Sequence, residues 1–235
     1  MRFTIEPSPS GGFAVRMDGV AAPLSRHDTE EEAEAHRLAY ERGAAAPVPG
    51  EIVDLPDGSE VKVRQVRPED KPLFLAGWER FGEESRYRRF LGAKGDLTAH
   101  ELAYFTEVDH VDHEAIGATA LRTGEGLGVA RYMRLPDRPD TAEAAVAVID
   151  AWQGRGLGGV LLKRLCRRAT ANGILRFRAS LLTGNRSMLR LFERLGEVEV
   201  RGVDAGVMGI DVELPVEKME TVLRSAATGH VGSRP

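Results

Sequence analysis

Apolar and polar positions alternate in two short runs near the start of the chain, RFTIE and FAVRM, the period-2 pattern of half-buried strands. Asp18-Gly19 is a hairpin-turn pair. The pattern then changes to helical spacing in TEEEAEAHRLAYERG, which opens with Thr29 and Glu32 at capping-box separation and stops at Gly43. GAAAPVPG follows, a Pro/Gly/Ala linker. These patterns predict a small strand-strand-helix module over residues 1–46 and a linker over 47–59. So small a unit is marginal alone. It is expected to dock on the main domain or on a second copy, and no chemistry is visible in it.

The main domain is expected over residues 60–216. GSEVKVRQVRPED reads as a strand running into a helix begun at Pro68, a residue tolerated in a first turn. KPLFLAGWERF and EESRYRRFLG are helical, and Thr98 with Glu101 forms a second capping pair before AHELAYFTEV. Three strand-like runs follow, EAIGATAL, LGVARYMRL and EAAVAVID, with Gly124, Gly126, Pro136 and Pro139 as punctuation. A further helix puts Leu157, Leu161, Leu162, Leu165, Cys166 and Ala169 on one face and Lys163, Arg164, Arg167 and Arg168 on the other, then stops at Asn172-Gly173. ILRFRASLL alternates as a strand. NRSMLRLFERLG is a helix with Met188, Leu191, Phe192 and Leu195 inward, and EVEVRG and GVMGIDVEL flank Asp204-Ala205-Gly206 as a hairpin. Residues 217–235 are expected to form a mobile tail.

Strands joined by short links pair antiparallel, whereas a strand-helix-strand crossover makes a parallel pair. The fold class is therefore α+β, a mixed, mostly antiparallel sheet with flanking helices, preceded by the small N-terminal module.

Composition narrows the function. A formal net charge of −4 argues against a protein whose work is coating nucleic acid. The single cysteine, Cys166, excludes an internal disulfide, fits a reducing compartment and reads as a small core residue. MRFTIEPSPSGG lacks a signal-peptide core and no window has the length of a membrane span, so a cytoplasmic protein without membrane partners is expected. His110 and His113 in VDHVDH have acidic neighbours, but zinc sites want three or four convergent ligands with support. A structural turn, with no metal, is the expectation there.

The densest chemistry lies in DAWQGRGLGGVLL, residues 150–162, where four glycines fall within residues 154–159. Glycine lets backbone approach a ligand, and a helix N-terminus offers unpaired N–H groups to an anion. A phosphate cradle is implied. Gly154, Gly156 and Gly159 match the dinucleotide spacing G-x-G-x-x-G, but the next strand ends Ser180-Leu181-Leu182-Thr183, without the carboxylate that would hold a ribose. No Gly-Lys-Ser/Thr follows either, which removes the ATP-type P-loop.

Gln153-Gly154-Arg155-Gly156-Leu157-Gly158 instead resembles Q/R-x-x-G-x-G/A, the acetyl-CoA pyrophosphate loop of the GNAT N-acetyltransferase superfamily, and Asn185 comes 29 residues after Gly156 at a strand-to-helix junction. SRYRRFL, VDHVDHEAIGA, GVARYMR, AEAAVAVIDAWQGRGLG and NRSMLRLFERLG resemble the branch that contains bacterial protein-lysine acetyltransferases. The resemblance implies acetyl-CoA as co-substrate and a protein lysine as acceptor. Backbone N–H groups from Gln153, Gly154, Arg155, Gly156, Leu157 and Gly158 would hold the pyrophosphate, with Leu157 also turned inward. Val146, Ala147 and Val148 would present strand backbone to the pantetheine arm, and an N–H near Val148 would polarise the thioester carbonyl. Asn185 would bond the pantetheine or cap its own helix.

Glu143 falls where the related enzymes carry their catalytic glutamate, and Asp150 is a reserve base. The resemblance has one departure: the position of the usual general-acid tyrosine holds Phe192, with Tyr132 as a weak substitute. A small-molecule amine acceptor, and a silent acyl-CoA-binding regulatory domain, are the alternatives. The arginines of SRYRRF and Arg176, Arg178, Arg186, Arg190 and Arg194 are expected to be mostly solvated, with a minority meeting the CoA 3′-phosphate or an acidic substrate.

Overall fold

The structure, a computed structural model, describes residues 3–9, 11–18, 25–34, 37 and 50–215. Its strands and helices in chain order are β1 (Phe3–Pro7), β2 (Phe13–Met17), β3 (Ser25–His27), β4 (Glu51–Asp54), β5 (Glu60–Gln65), α1 (Lys71–Glu79), α2 (Glu83–Phe90), α3 (Ala99–Thr106), β6 (His113–Ala120), β7 (Gly126–Leu135), β8 (Arg138–Val148), α4 (Leu157–Ala171), β9 (Arg176–Leu182), α5 (Arg186–Glu193), β10 (Val198–Asp204) and β11 (Val207–Glu213). The strands form one sheet in the order β1 to β9, then β11, then β10. Among the described residues only β8 and β9 pair in parallel. This is the mixed, mostly antiparallel architecture expected.

The N-terminal strands extend that sheet. The β1–β2 hairpin closes where the Ser8 N–H donates to the Gly12 carbonyl (2.9 Å), so Asp18 follows the hairpin, and Gly19 lies outside the described residues. A third strand, β3, precedes the helical residues 30–34, and the Glu32 N–H donates to Thr29 Oγ1 (3.2 Å) as the capping pair predicts. The remainder of that helix to Gly43, most of GAAAPVPG and the 217–235 tail lie outside the described residues.

Within the expected linker, EIVD is strand β4, paired to β5, because Ile52 and Leu55 supply buried apolar anchors on the sheet. His27 pairs with Glu51 across β3–β4. Arg26 meets Asp54 (2.7 Å), and Lys62 meets Asp28 (2.8 Å) and Glu32 (2.9 Å). These contacts dock the module on the sheet edge.

On one face of the sheet lies α4. Its stripe of Leu157, Leu161, Leu162, Leu165, Cys166 and Ala169 is buried against Ala130, Tyr132, Ala144, Val146, Phe177 and Ile210. Each such leucine contributes roughly 1.5–3 kcal/mol. The helix stops at Asn172, followed by Gly173 at φ 79°, the left-handed stop read from Asn-Gly. On the opposite face, α1, α2 and α3 cover β7 and β8 around Trp78, Phe81 and Phe105. The α3 capping box is complete, with Thr98 and Glu101 bonding reciprocally.

Arg168 departs from its expected solvated position. Residue 168 of α4 passes over β6, and its Nε donates to Glu114 Oε2 (2.8 Å) with both groups buried. The VDHVDH segment is a structural turn: Asp109 Oδ1 accepts the N–H groups of Val111, Asp112 and His113 at 2.8, 2.8 and 2.9 Å. His110 Nδ1 meets Glu114 Oε1 (2.7 Å).

His113 is buried against the Tyr104 ring, 3.4 Å from an Arg131 nitrogen. Burial, then the Arg131 charge, holds its imidazole down at about 4. An unfolded chain binds that proton near 6.5, so between about 6.5 and 4 the unfolded state carries more protons than the folded one. His113 therefore costs no stability above that window and costs progressively more as pH falls through it. Urea denaturation of His113→Asn across the window is expected to show a shallower pH slope than wild type.

Candidate functional site

The parallel pairing of β8 with β9 runs from Thr141↔Arg176 to Glu143↔Arg178 and goes no further. Beyond it β8 continues to Val148, hydrogen-bonded to β7, while β9 stays with β11. The two strands splay, and the backbone of residues 144–148 has no β9 partner. Amide and carbonyl groups on such an open edge accept an extended ligand as a further strand.

At the head of the splay sits the glycine-rich loop. Gly154 (φ 75°) and Gly156 (φ 89°) occupy the left-handed region, which glycine alone enters without strain. Gly156 is the N-cap of α4, and a side chain there would press on Pro56 at 3.1 Å. The first intrahelical donors are Gly159 and Val160, both to the Gly156 carbonyl, so the Leu157 and Gly158 N–H groups are left for an anion. Gly158 also lets α5 approach, since a Cβ there would lie 3.2 Å from Leu191 Cδ1.

Loop and splay together make a cleft of about 830 Å³. It is lined by Glu143 and residues 144–148 of β8, the loop from Trp152 to Gly156, Gly158, Asn185 and Phe192. Five arginines line it, Arg88, Arg89, Arg155, Arg190 and Arg194, against two carboxylates, Asp57 and Glu143. That imbalance attracts a polyanion.

The structure assigns most of the sequence-predicted residues distinct local tasks. Gln153 uses its side chain as a strap: Nε2 donates to the Val148 carbonyl (3.0 Å), Ser85 Oγ (3.0 Å) and Asp150 Oδ1 (3.2 Å). Its backbone N–H is engaged too, donating to the Asp150 carbonyl (3.2 Å), so the N–H expected to meet the pyrophosphate is held within the loop. Arg155 rests over the Trp152 ring at 4.9 Å and meets Asp57 at 3.4 Å, a half-exposed position from which it can turn to a phosphate. Leu157 is buried in the core, as its place in the apolar stripe predicts. Asn185 caps α5, its Oδ1 accepting the Met188 N–H (3.2 Å). Its amide NH₂ bonds to none of the described residues, so capping and ligand binding are compatible.

Val146 packs toward α4, whereas Ala147 lines the opposite side, with Val148 at the end of the strand. Glu143 lies in mid-strand and does not open it, because the strand begins at Arg138 directly after a tight turn at residues 136–137. By register with Met133 it shares a sheet face with Arg131 and Ala147. Its carboxylate is exposed to the cleft and makes no hydrogen bond or ion pair among the described residues.

Asp150 is less free than a reserve base should be. It accepts from Gln153, and its other oxygen fills the space where residue 82 would carry a Cβ, which explains glycine at the start of α2. Tyr132 faces the core: its hydroxyl donates to the Val111 carbonyl (3.0 Å) and accepts from Asn172 Nδ2 (2.7 Å). It is removed from the cleft. Phe192 is buried and lines the cleft.

Sequence reasoning passed over Ser85 and Trp152, and took Arg89 only as one of the SRYRRF arginines expected to be mostly solvated. No single-residue signal separates Arg89 from its exposed neighbour Arg88. Only the packing of α2 against β8 brings it inward.

A splayed parallel pair capped by a glycine loop and a helix N-terminus, with a cationic cleft, is an arrangement suited to a pyrophosphate-bearing ligand. Residues 76–196 match the family model described as acetyltransferase (GNAT) family. The chain is 36% identical over 181 residues to Acetyltransferase Pat of Mycolicibacterium smegmatis, covering 76% of this chain and 53% of that protein. It thus spans about half the length of that relative. It is 30% identical over 165 residues to Acetyltransferase PA5475 of Pseudomonas aeruginosa, covering 68% of this chain and 88% of that one. Among solved structures it resembles the GNAT domain of S. lividans PAT, at a TM-score of 0.64 and 32% identity, over 69% of this chain and 96% of that one. The chain belongs to the GNAT acetyltransferase family.

Proposed function

We propose that this chain transfers the acetyl group of acetyl-CoA to a primary amine, with a protein lysine as the acceptor class and Glu143 as general base. The observation that carries the reading is the open edge of residues 144–148 ending at paired left-handed glycines and a helix N-terminus. Such an edge suits the amide groups of pantetheine, and the loop suits the diphosphate. The likeness to proteins named Pat, and the SRYRRFL and AEAAVAVIDAWQGRGLG segments, favour a lysine on a protein over a small amine. The lone cysteine and the coenzyme requirement fit a cytoplasmic setting.

The chemistry is direct transfer in a ternary complex. A lysine near pH 7 is almost wholly ammonium, and the free Glu143 carboxylate takes its proton. The amine nitrogen then bonds to the thioester carbonyl carbon while an N–H near Val148 donates to the carbonyl oxygen. The carbon–sulfur bond breaks, the electron pair leaves on the CoA sulfur, and the nitrogen gives its second proton to water to become the neutral amide. With Phe192 in place of a tyrosine, no side chain protonates that thiolate. A thiol pKa of about 8.5 makes it a tolerable leaving group.

Phe192 also supports a second reading, a silent module that binds acyl-CoA without turnover. Calorimetry with acetyl-CoA and labelling of a matched lysate with radioactive acetyl-CoA distinguish the outcomes. Binding with label on proteins is expected. Binding without label favours the silent module, label only on small metabolites favours a small amine acceptor, and no binding ends the coenzyme reading. In the same calorimetry Gly156→Ala is expected to weaken acetyl-CoA about tenfold. A non-glycine residue at this φ costs roughly 1–2 kcal/mol, so the free loop of the variant relaxes away from the cradle geometry; binding must restore it, and each 1.4 kcal/mol is a factor of about ten.

A further inference from the structure

Beside the cleft, beneath α1, α2 and α3, lies a cavity of about 130 Å³ walled by Leu73, Phe74, Phe81, Phe90, Phe105 and Val129. That is well above the ~10–15 Å³ one water needs. The two spaces share Phe81, Arg89, Ala147 and Val148 as a common wall. The cavity therefore opens at the strand segment to which the reacting carbonyl is assigned.

Three guanidinium groups line this apolar space, Arg64, Arg89 and Arg131, together with one carboxylate, Asp70, which is taken up by Arg64. Arg131, on β7, is 6% exposed. It donates to the Phe105 carbonyl (2.9 Å), contacts His113 Nε2 (3.4 Å) and lies 4.5 Å from the Phe105 ring centroid. Arg89, on the last turn of α2, lies 5.1 Å from the Phe90 ring centroid and makes no hydrogen bond among the described residues. Neither pairs with a carboxylate there; the charge of Glu143 reaches Arg89 only at longer range.

Among the other described residues, Arg86 donates to the Phe81 and Trp78 carbonyls, and three inward arginines are paired with carboxylates. Arg64 holds Asp70 through two hydrogen bonds (2.6 and 2.7 Å), Arg164 holds Glu51 (2.6 and 2.8 Å), and Arg168 holds Glu114 (2.8 Å). Burial, then the Arg89 charge, pulls the Arg131 guanidinium down to about 9, still protonated near neutrality. A buried cation without a counter-ion is unfavourable, and two together more so.

We propose that Arg89 and Arg131 form a subsite for a carboxylate that enters with a substrate. The carboxylate is either the free end of a dicarboxylic acyl group on coenzyme A or an acidic side chain flanking the acceptor lysine. A planar guanidinium is the side chain suited to grip it bidentately, and the aromatic walls exclude the water that would otherwise compete. The proposal rests on the cleft being an acyl-CoA site.

The test measures ratios in the full chain. The donor arm compares kcat/KM for succinyl-CoA with that for butyryl-CoA, equal in carbon number and lacking the terminal charge. The acceptor arm uses acetyl-CoA with lysine peptides flanked by glutamate or by glutamine. Wild type is expected to favour the anionic member of one pair by about tenfold or more. That preference is expected to vanish in Arg89→Met and Arg131→Met and to survive in part in Arg89→Lys. Which arm responds identifies the source. If Arg131→Met fails to fold, Arg89→Met decides alone.

Equal use of both members in both arms by wild type, or a preference that survives Arg89→Met, overturns the subsite while leaving the acetyltransferase reading intact. Failure to bind any of the three thioesters removes both.

Discussion

Glu143→Gln is expected to lower the turnover of amine acetylation by on the order of a hundredfold, with the calorimetric affinity for acetyl-CoA within about twofold of wild type. The expectation rests on where the residue stands. It belongs to the last β8–β9 pair, Glu143↔Arg178, so its carboxylate sits at the point where the cleft opens. It is exposed there with both oxygens free, whereas the other nearby carboxylates, Asp150 and Asp57, are held by Gln153 and Arg155. Glutamine preserves size and polarity while removing the proton acceptor. The loss should therefore appear in kcat and shrink as pH rises toward the acceptor's own pKa, where less ammonium needs deprotonation. Unchanged turnover would remove Glu143 from the chemistry.

Glu114→Ala should have the largest effect on stability, about 3–5 kcal/mol, read from urea denaturation by circular dichroism. Glu114 is fully buried on β6. Its oxygens accept from Arg168 Nε (2.8 Å), Gln65 Nε2 (2.8 Å) and its neighbour's Ala115 N–H (2.9 Å), and one meets His110 Nδ1 (2.7 Å). Alanine leaves the Arg168 guanidinium buried beside a void. Removing both charges, as Glu114→Leu with Arg168→Leu, is expected to recover most of the loss, because the desolvation of two ions disappears with their attraction. A double variant no better than Glu114→Ala would show that the network acts through shape and not charge. The network also fastens α4 to β6, and α4 begins in the glycine loop. The single variant is therefore expected to blunt coenzyme binding in proportion to its unfolded fraction.

Several features followed from rules that act over a few residues. The Thr98–Glu101 box, the Asn172-Gly173 stop, the Ala205-Gly206 turn at φ 46° and 80°, and the positive φ of Gly154 and Gly156 all stand where short spacings put them. The boundary of β8 was less visible. Pro136 and Pro139 read as turn residues, yet Pro139 lies within the strand because the turn to β7 is only two residues long. Strand β4 was concealed by its short length between turn-forming residues.

Helix caps, strand periodicity and glycine's access to left-handed backbone are set by neighbours in the chain, so the order of most elements, the mostly antiparallel sheet, its β8–β9 parallel pair and the glycine-rich loop could all be read from the residues themselves. Which charges are paired could not. The partner of Arg168 lies 54 residues away, and the lack of a carboxylate partner for Arg89 and Arg131 among the described residues emerges only once α2, α3 and β7 enclose the same space. Folding alone decided that Glu143 is free, that Asp150 and Tyr132 are engaged elsewhere, and that an apolar chamber adjoins the splayed strands. Each depends on groups distant in sequence being brought within a few ångströms, a relation that periodicity and spacing do not encode.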